Sequence, residues 1–366
     1  MNVLSGAFEK KGSEVLGIPK KRKCAARCNA GIRIVEQDVP ELVPGTIAID
    51  VKASLVSPGT ELGGGWHALA AARDAGAGQD ELRPIGYSNA GVVIAAGEDV
   101  TRHKPGDRVA CIGAGYAMHA TTAIIPVNLS VTLPDSVTFA QGSYAMLSAT
   151  AMHAIRRGET RLGERVAVVG LGLVGQLSAQ LSRLCGAYVI GWDVIPLRLK
   201  IAESWGIDAA VNPGAEDAVA KTRAWTNGYG LDHAILATSG NGDEAVPRVL
   251  DSMKISPDGH PEGIVVVVGG TSFRYNAGMT NIDVRRASRT GPGYHDENWE
   301  LGADYPPVFM RWSTQTNLAL CMQLIAEGRL NVDCLTTHRI PLGQAEEAID
   351  KALNTPDEML GVVFEM

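Results

Sequence analysis

No apolar run in this chain of 366 residues reaches the ~18 residues that a membrane-spanning helix requires. The N-terminal stretch lacks the apolar core of a signal peptide, so neither a membrane nor an export route is expected. Positive charge is not in excess. The 33 Lys and Arg face 40 Asp and Glu, and the resulting net charge of −7 argues against nucleic acid as the main partner. The one basic run, Lys20-Lys21-Arg22-Lys23, reads as a solvated loop, with a targeting or polyanion patch as the alternative. Cysteine is sparse and scattered (24, 28, 111, 185, 321 and 334), which fits reduced thiols in a cytoplasmic protein better than a disulfide scaffold. Cys24 and Cys28 form a CxxxC pair with no second pair, too little for a zinc site. Internal repeats and low-complexity tracts are missing too. What remains is ordinary for a globular chain, 45% hydrophobic and 20% charged, with length for two domains of roughly 100–200 residues each.

The segment Val166-Ala-Val-Val-Gly170-Leu-Gly172-Leu-Val-Gly175 carries the most information. Val166 to Val169 read as a buried parallel strand. Gly170 then permits a tight turn, Gly172 lets the backbone approach a pyrophosphate, and Gly175 lets the next helix pack on the sheet. Leu173, Leu177, Leu181 and Leu184 mark one face of that helix. A second buried strand, Tyr188 to Trp192, ends in Asp193, whose carboxylate can accept from the adenosine ribose hydroxyls. Asp193 favours NAD, because a carboxylate there repels a 2′-phosphate; Arg198 leaves NADP as the lesser alternative.

Around this motif the pattern divides the chain into four parts. Residues 1–22 read as an N-terminal extension. Residues 23–147 show short β segments and turns, among them an alternating, half-buried strand at Ile47, Ile49 and Val51, then Gly91–Ile94 and Arg108–Cys111 about the Pro105-Gly106-Asp107 turn. Residues 148–305 change to a strand–helix rhythm, with buried strands at His233–Ala237 and Gly263–Gly269: a doubly wound α/β sheet. Residues 306–366 return to the first part through helices around Leu318–Ile325 and Ala345–Leu353 and a last strand, Leu360–Phe364.

With Pro84-Ile-Gly-Tyr-Ser-Asn-Ala-Gly-Val-Val93, Gly106-Asp-Arg-Val109 and the mid-chain glycine turn, this order resembles the medium-chain dehydrogenase/reductase superfamily from about residue 25 to the C-terminus. The resemblance implies a GroES-like β-rich catalytic domain interrupted by a Rossmann domain, with substrate and nicotinamide meeting in the cleft. Ser54-Leu-Val-Ser-Pro-Gly-Thr-Glu61, Tyr305-Pro-Pro-Val-Phe-Met-Arg-Trp312 and Thr337-His-Arg-Ile-Pro341 are similar to a zinc-lacking branch that includes bacteriochlorophyllide dehydrogenase-type and sugar-oxidoreductase-type proteins. Matching the superfamily's zinc motifs puts Pro58 or Ser57, Tyr87 and Met146 at the metal-ligand positions, and none of them is a good Zn²⁺ ligand. The four-cysteine structural lobe is also lacking, so no zinc is expected.

Without a metal, hydroxyls must handle the proton. By resemblance, Thr60 sits at the relay hydroxyl, Tyr87 points a phenol into the vacated metal position, and Glu61 orients a partner or serves as base. Each also has a plain reading, as turn residue, core aromatic or structural acid. The cofactor residues expected are Gly170, Gly172, Leu173, Val174, Gly175, Asp193 and Arg198, with Thr150, Thr238, Gly269 and Gly270 on neighbouring elements. Ser57, His119, Tyr294, Tyr305 and Trp312 are substrate-side candidates, and the Arg285–Trp312 segment reads as a cleft lid or a subunit contact. The function expected is zinc-independent, NAD-dependent hydride transfer at a secondary alcohol or ketone of a sugar, cyclitol or related polyol. The alternatives are an NAD(P)H-dependent enone or quinone reductase and a non-catalytic dinucleotide-binding protein. A homodimer or homotetramer is expected by resemblance, with a sheet edge near Gly263–Gly269.

Overall fold

The computed structural model describes residues 17–76, 81–276, 278, 280–287 and 289–366; most of the expected N-terminal extension lies outside this set. Two seven-stranded sheets organise the chain. The first is parallel in its main part and runs, in spatial order, Ala209–Val211, Tyr188–Trp192, Arg165–Val169, His233–Leu236, Pro261–Val267 and Asn281–Arg286. Numbered along the chain, that order is 3-2-1-4-5-6, the doubly wound arrangement whose reversal point lies beside the first strand. The Leu173–Leu184 helix follows the first strand, and Leu173, Leu177 and Leu181 are buried as their spacing predicts. Burial extends beyond that face. Gln176 donates to Arg198 O at 2.8 Å, and Gln180 exchanges two hydrogen bonds with the Asn331 backbone, so polar side chains cross a packed interface with their partners supplied.

The second sheet is built from both ends of the chain. The C-terminal strand Gly361–Glu365 inserts between Thr336–Pro341 and Thr46–Leu55, and the order continues through Ser88–Ala96, Arg108–Ile112 and Ser130–Thr132. Thr122–Pro126 pairs antiparallel with the first half of Thr46–Leu55. This β-rich body and the parallel sheet pack together through the Ala145–Gly158 helix, whose buried face joins one hydrophobic cluster spanning both sheets. The crevice at the reversal point therefore opens toward the β-rich body.

Three local expectations need correcting. The basic run is not a loop: Lys21–Cys28 is a strand, with Lys21 and Lys23 outward while Arg22 turns inward and donates to Thr122 O at 3.3 Å. A charged stretch can alternate as a strand when its inward cation finds a carbonyl. The Ile47–Val51 strand keeps its half-buried alternation at Asp50, whose side chain is 48% exposed, but not at Ala48. Ala48 is as buried as its neighbours, because a small satellite core with Ala95 and Ile124 covers the second face. Gly263–Gly269 is not at an edge either: the strand it enters has His233–Leu236 on one side and Asn281–Arg286 on the other, and the latter bears the exposed Val284. Among the described residues no helix is long and apolar enough to cross a membrane.

Candidate active site

A cavity of about 950 Å³ lies between the two sheets, at the upper end of the range for small-molecule sites. Its first wall is the glycine turn, where each glycine answers a different demand. Gly170 has φ +88°, and a Cβ there would press on Thr238. At Gly175 a Cβ would overlap Gly170 O, so this residue must be glycine for helix and strand to meet. Gly172 is different: its φ of −64° suits any residue, and a Cβ would meet nothing within 4 Å. The space beside it is open cavity at a helix N-terminus, where unpaired N–H groups and the helix dipole favour an anion. A dinucleotide's pyrophosphate fits that cradle in size and sign.

Asp193, 6% exposed, closes this end. Its Oδ2 accepts from Leu171 N–H at 2.7 Å and from Arg198 at 3.2 Å, and Oδ1 accepts from Ile195 N–H at 2.8 Å. A carboxylate has about four acceptor sites, so capacity remains for a ribose hydroxyl. Trp205 donates to Gln176, which holds the Arg198 backbone, so the Arg198–Asp193 pair is braced from behind. Leu173, Val174, Thr150, Thr238, Gly269 and Gly270 also line the cavity. A Cβ at Gly269 would overlap Thr238 O, which explains why two strand ends can close together there.

The second wall brings Ser57, Thr60 and Tyr87 together. Pro58 starts the one-turn helix Pro58–Glu61, which lifts Ser57 and Thr60 to the cavity. The Tyr87 hydroxyl donates to Ser57 Oγ. Burial and the nearby Glu61 charge push the Tyr87 phenol well above its ordinary range, against the opposing pull of the Ser57 and Thr60 hydroxyls. The phenol is therefore held in its neutral form, with its proton donated to Ser57.

Glu61 and His119 lie behind this wall and do not line the cavity. Glu61 Oε2 accepts from Ser57 N–H at 2.5 Å, Oε1 lies 3.1 Å from His119 Nε2, and the His119 ring stands edge-on to Phe364. The pair fixes Ser57 from within the protein. The Arg285–Trp312 segment is likewise split. Tyr294 lines the cavity and its hydroxyl accepts from Ala114 N–H at 3.0 Å. Tyr305 instead donates to Asp296 and stacks on Trp299, and Trp312 lies under Arg156, both away from the cavity. Sequence reasoning missed Trp66, which lines the site behind Gly63, Gly64 and Gly65, all at positive φ. That glycine triplet was the legible signal of a turn pressed against a site.

Pro58, Tyr87 and Met146 all line the cavity and offer no carboxylate, imidazole or thiolate to a metal. Among the described residues no group of three or more His, Cys, Asp or Glu is placed to hold one.

A model of the zinc-binding dehydrogenase family matches residues 174–291. The D-guloside 3-dehydrogenase of Escherichia coli (strain K12) is 28% identical over 297 residues, which cover 76% of this chain and 77% of that protein. The sorbitol dehydrogenase of Mus musculus is 25% identical over 296 residues, 73% of this chain and 76% of that one. Among solved structures, the alcohol dehydrogenase TADH from Thermus sp. ATN1 superposes with a TM-score of 0.71 at 21% identity, covering 94% of this chain and 99% of that one. That likeness shows a shared fold, a GroES-like body joined to a Rossmann domain.

Proposed function

Because the chain belongs to the medium-chain dehydrogenase/reductase superfamily, we propose that it is an NAD(H)-dependent oxidoreductase that works without zinc on a secondary alcohol or ketone of a sugar, cyclitol or related polyol. One observation carries the reading: the glycine turn with Asp193 and the Ser57–Thr60–Tyr87 hydroxyls face each other across a single cavity. Gly172 and the first turn of the Leu173–Leu184 helix would take the pyrophosphate, and Asp193 a ribose hydroxyl. The nicotinamide, when bound, supplies hydride chemistry; the protein must supply the proton.

In the direction of reduction, Tyr87 donates to the substrate carbonyl oxygen, which stabilises the negative charge that develops there. To donate there, the phenol turns its single proton from Ser57 Oγ to the carbonyl oxygen; Ser57 then donates its own hydroxyl proton to the phenolic oxygen and is reprotonated through Thr60 from water. Thr60, exposed at the cavity wall, links the pair to water. Glu61 holds Ser57 in register, and burial together with the Glu61 charge favours the protonated phenol. Oxidation runs the same path backward. The relatives named for guloside and sorbitol support a polyhydroxylated substrate.

The direct test is a screen for NAD⁺ reduction over sugars, cyclitols and glycosides with chelator-treated, dialysed protein. The reading expects a hit among secondary alcohols whose rate is unchanged by chelation. Activity that disappears with the metal and returns with Zn²⁺ overturns the zinc-independent part. Hydride delivery to an enone or quinone alone overturns the substrate class. NADH binding without any hydride exchange leaves the non-catalytic reading in its place.

A further inference from the structure

Charge is distributed unevenly around the cavity. Among the described residues Asp193 is the one carboxylate lining it, and that carboxylate is paired with Arg198 at the nucleotide end. The other lining residues that carry or can carry positive charge are Arg286, Arg289, His67 and His295, with His67 bound to Asp357 at 2.7 Å. Arg289 and His295 come from one tight segment in which four residues have positive φ: Arg289 (65°), Gly291 (117°), Gly293 (98°) and His295 (71°). The left-handed conformation is unfavourable for a residue with a Cβ, and such residues gather at ligand sites. Glu159, another in this conformation, simply ends a helix; Arg289 and His295 have no such role.

The segment is clamped on several sides. His295 N–H donates to the buried Glu300 at 2.7 Å, Thr314 N–H donates to Pro292 O at 2.7 Å, and Asn317 donates to Thr290 O at 2.8 Å. Trp299 fills the place a Cβ of Gly293 would need. Tyr294, between the two strained residues, reaches Ala114 on the β-rich wall. Arg289 in turn acts electrostatically on Tyr294. The segment that carries Arg289 is thus clamped and meets the β-rich wall through Tyr294, and Arg289 lines the cavity that this wall shares with the Gly172 turn.

We propose that the substrate carries an anionic group, a carboxylate or a phosphate ester, and that Arg289 receives it with His295 alongside. This rests on the oxidoreductase reading for the reaction but not for the binding. An arginine fork matches either anion in two parallel hydrogen bonds, whereas a neutral polyol leaves the cation without its partner. The substrate class narrows accordingly, from a polyol to an acidic or phosphorylated polyol.

The test titrates sorbitol, gluconate and sorbitol 6-phosphate onto the free protein and onto its NADH complex by calorimetry. One of the two anions is expected to bind at least about 10-fold more tightly than sorbitol, and which one identifies the group. Arg289→Asn removes the cation while keeping a residue that tolerates positive φ. It should abolish that preference, leave sorbitol binding unchanged and leave NADH affinity within about twofold of wild type; Arg289→Lys should restore part of the preference. Equal binding of sorbitol and both anions overturns the proposal. So does loss of NADH affinity in Arg289→Asn, which would assign the cation to the cofactor. Failure of NADH to bind wild type refutes the oxidoreductase reading alone, because the anion preference is still read on the free protein.

Discussion

Gly172→Ala is expected to fold and melt like wild type yet bind NADH about 10- to 100-fold more weakly. The backbone at Gly172 already suits alanine, and the added methyl group touches no protein atom within 4 Å. It can only intrude on whatever occupies the cavity. Gly175→Ala should behave in the opposite way, because its methyl group would overlap Gly170 O and the helix must move off the strand. Forcing that overlap costs about 1–3 kcal/mol or more, which lowers Tm by several degrees. Two alanines three positions apart then separate binding from stability. Melting curves and NADH titrations on both variants decide the matter. If Gly172→Ala binds NADH as wild type does, the turn does not hold the pyrophosphate.

Tyr87→Phe should lower turnover by about 10²-fold with little change in NADH affinity, the size of effect seen when an aligned proton donor is removed. The phenol is held neutral by burial and by Glu61, so its folded pKa lies above the free value of about 10. Reduction needs the protonated form. The rate should therefore stay level through pH 9 to about 10, where an unperturbed tyrosine would begin to lose its proton. A descending limb within that range which vanishes in Tyr87→Phe would mean that the phenol titrates like a free tyrosine, against the effect of its burial. Unchanged turnover in Tyr87→Phe would reduce the residue to a packed aromatic with a satisfied hydroxyl.

The cofactor end was legible in the sequence because its requirements are local. Tight turn, close approach and helix packing each exclude side chains at one position, and Gly170, Gly172 and Gly175 record those exclusions in order. Asp193 follows from the same unit, since the next strand of a doubly wound sheet must end beside the first. The substrate end was legible only in part. Ser57, Thr60 and Tyr87 come from two segments that a sheet brings together, and only resemblance to a family paired them. Glu61 and Tyr305 illustrate what sequence leaves open: a carboxylate or a phenol in the right segment gives no sign of which way it faces. Glu61 turns inward to Ser57 N–H and His119, and Tyr305 turns to Asp296. Arg289 was visible as one arginine among several. Its left-handed backbone, in a segment that packs through Gly293 on Trp299 and through His295 on Glu300, is a tertiary property that no local pattern states.

The central claim, a nicotinamide dinucleotide at the Gly172 turn read through Asp193, is tested most directly by parallel fluorescence titrations of the purified protein with NADH and NADPH. The account predicts saturable NADH binding and NADPH binding at least about 10-fold weaker, because Asp193 repels a 2′-phosphate even with Arg198 at its side. Tight NADPH binding with weak NADH binding would contradict it, and would mean that Arg198, not Asp193, reads the ribose.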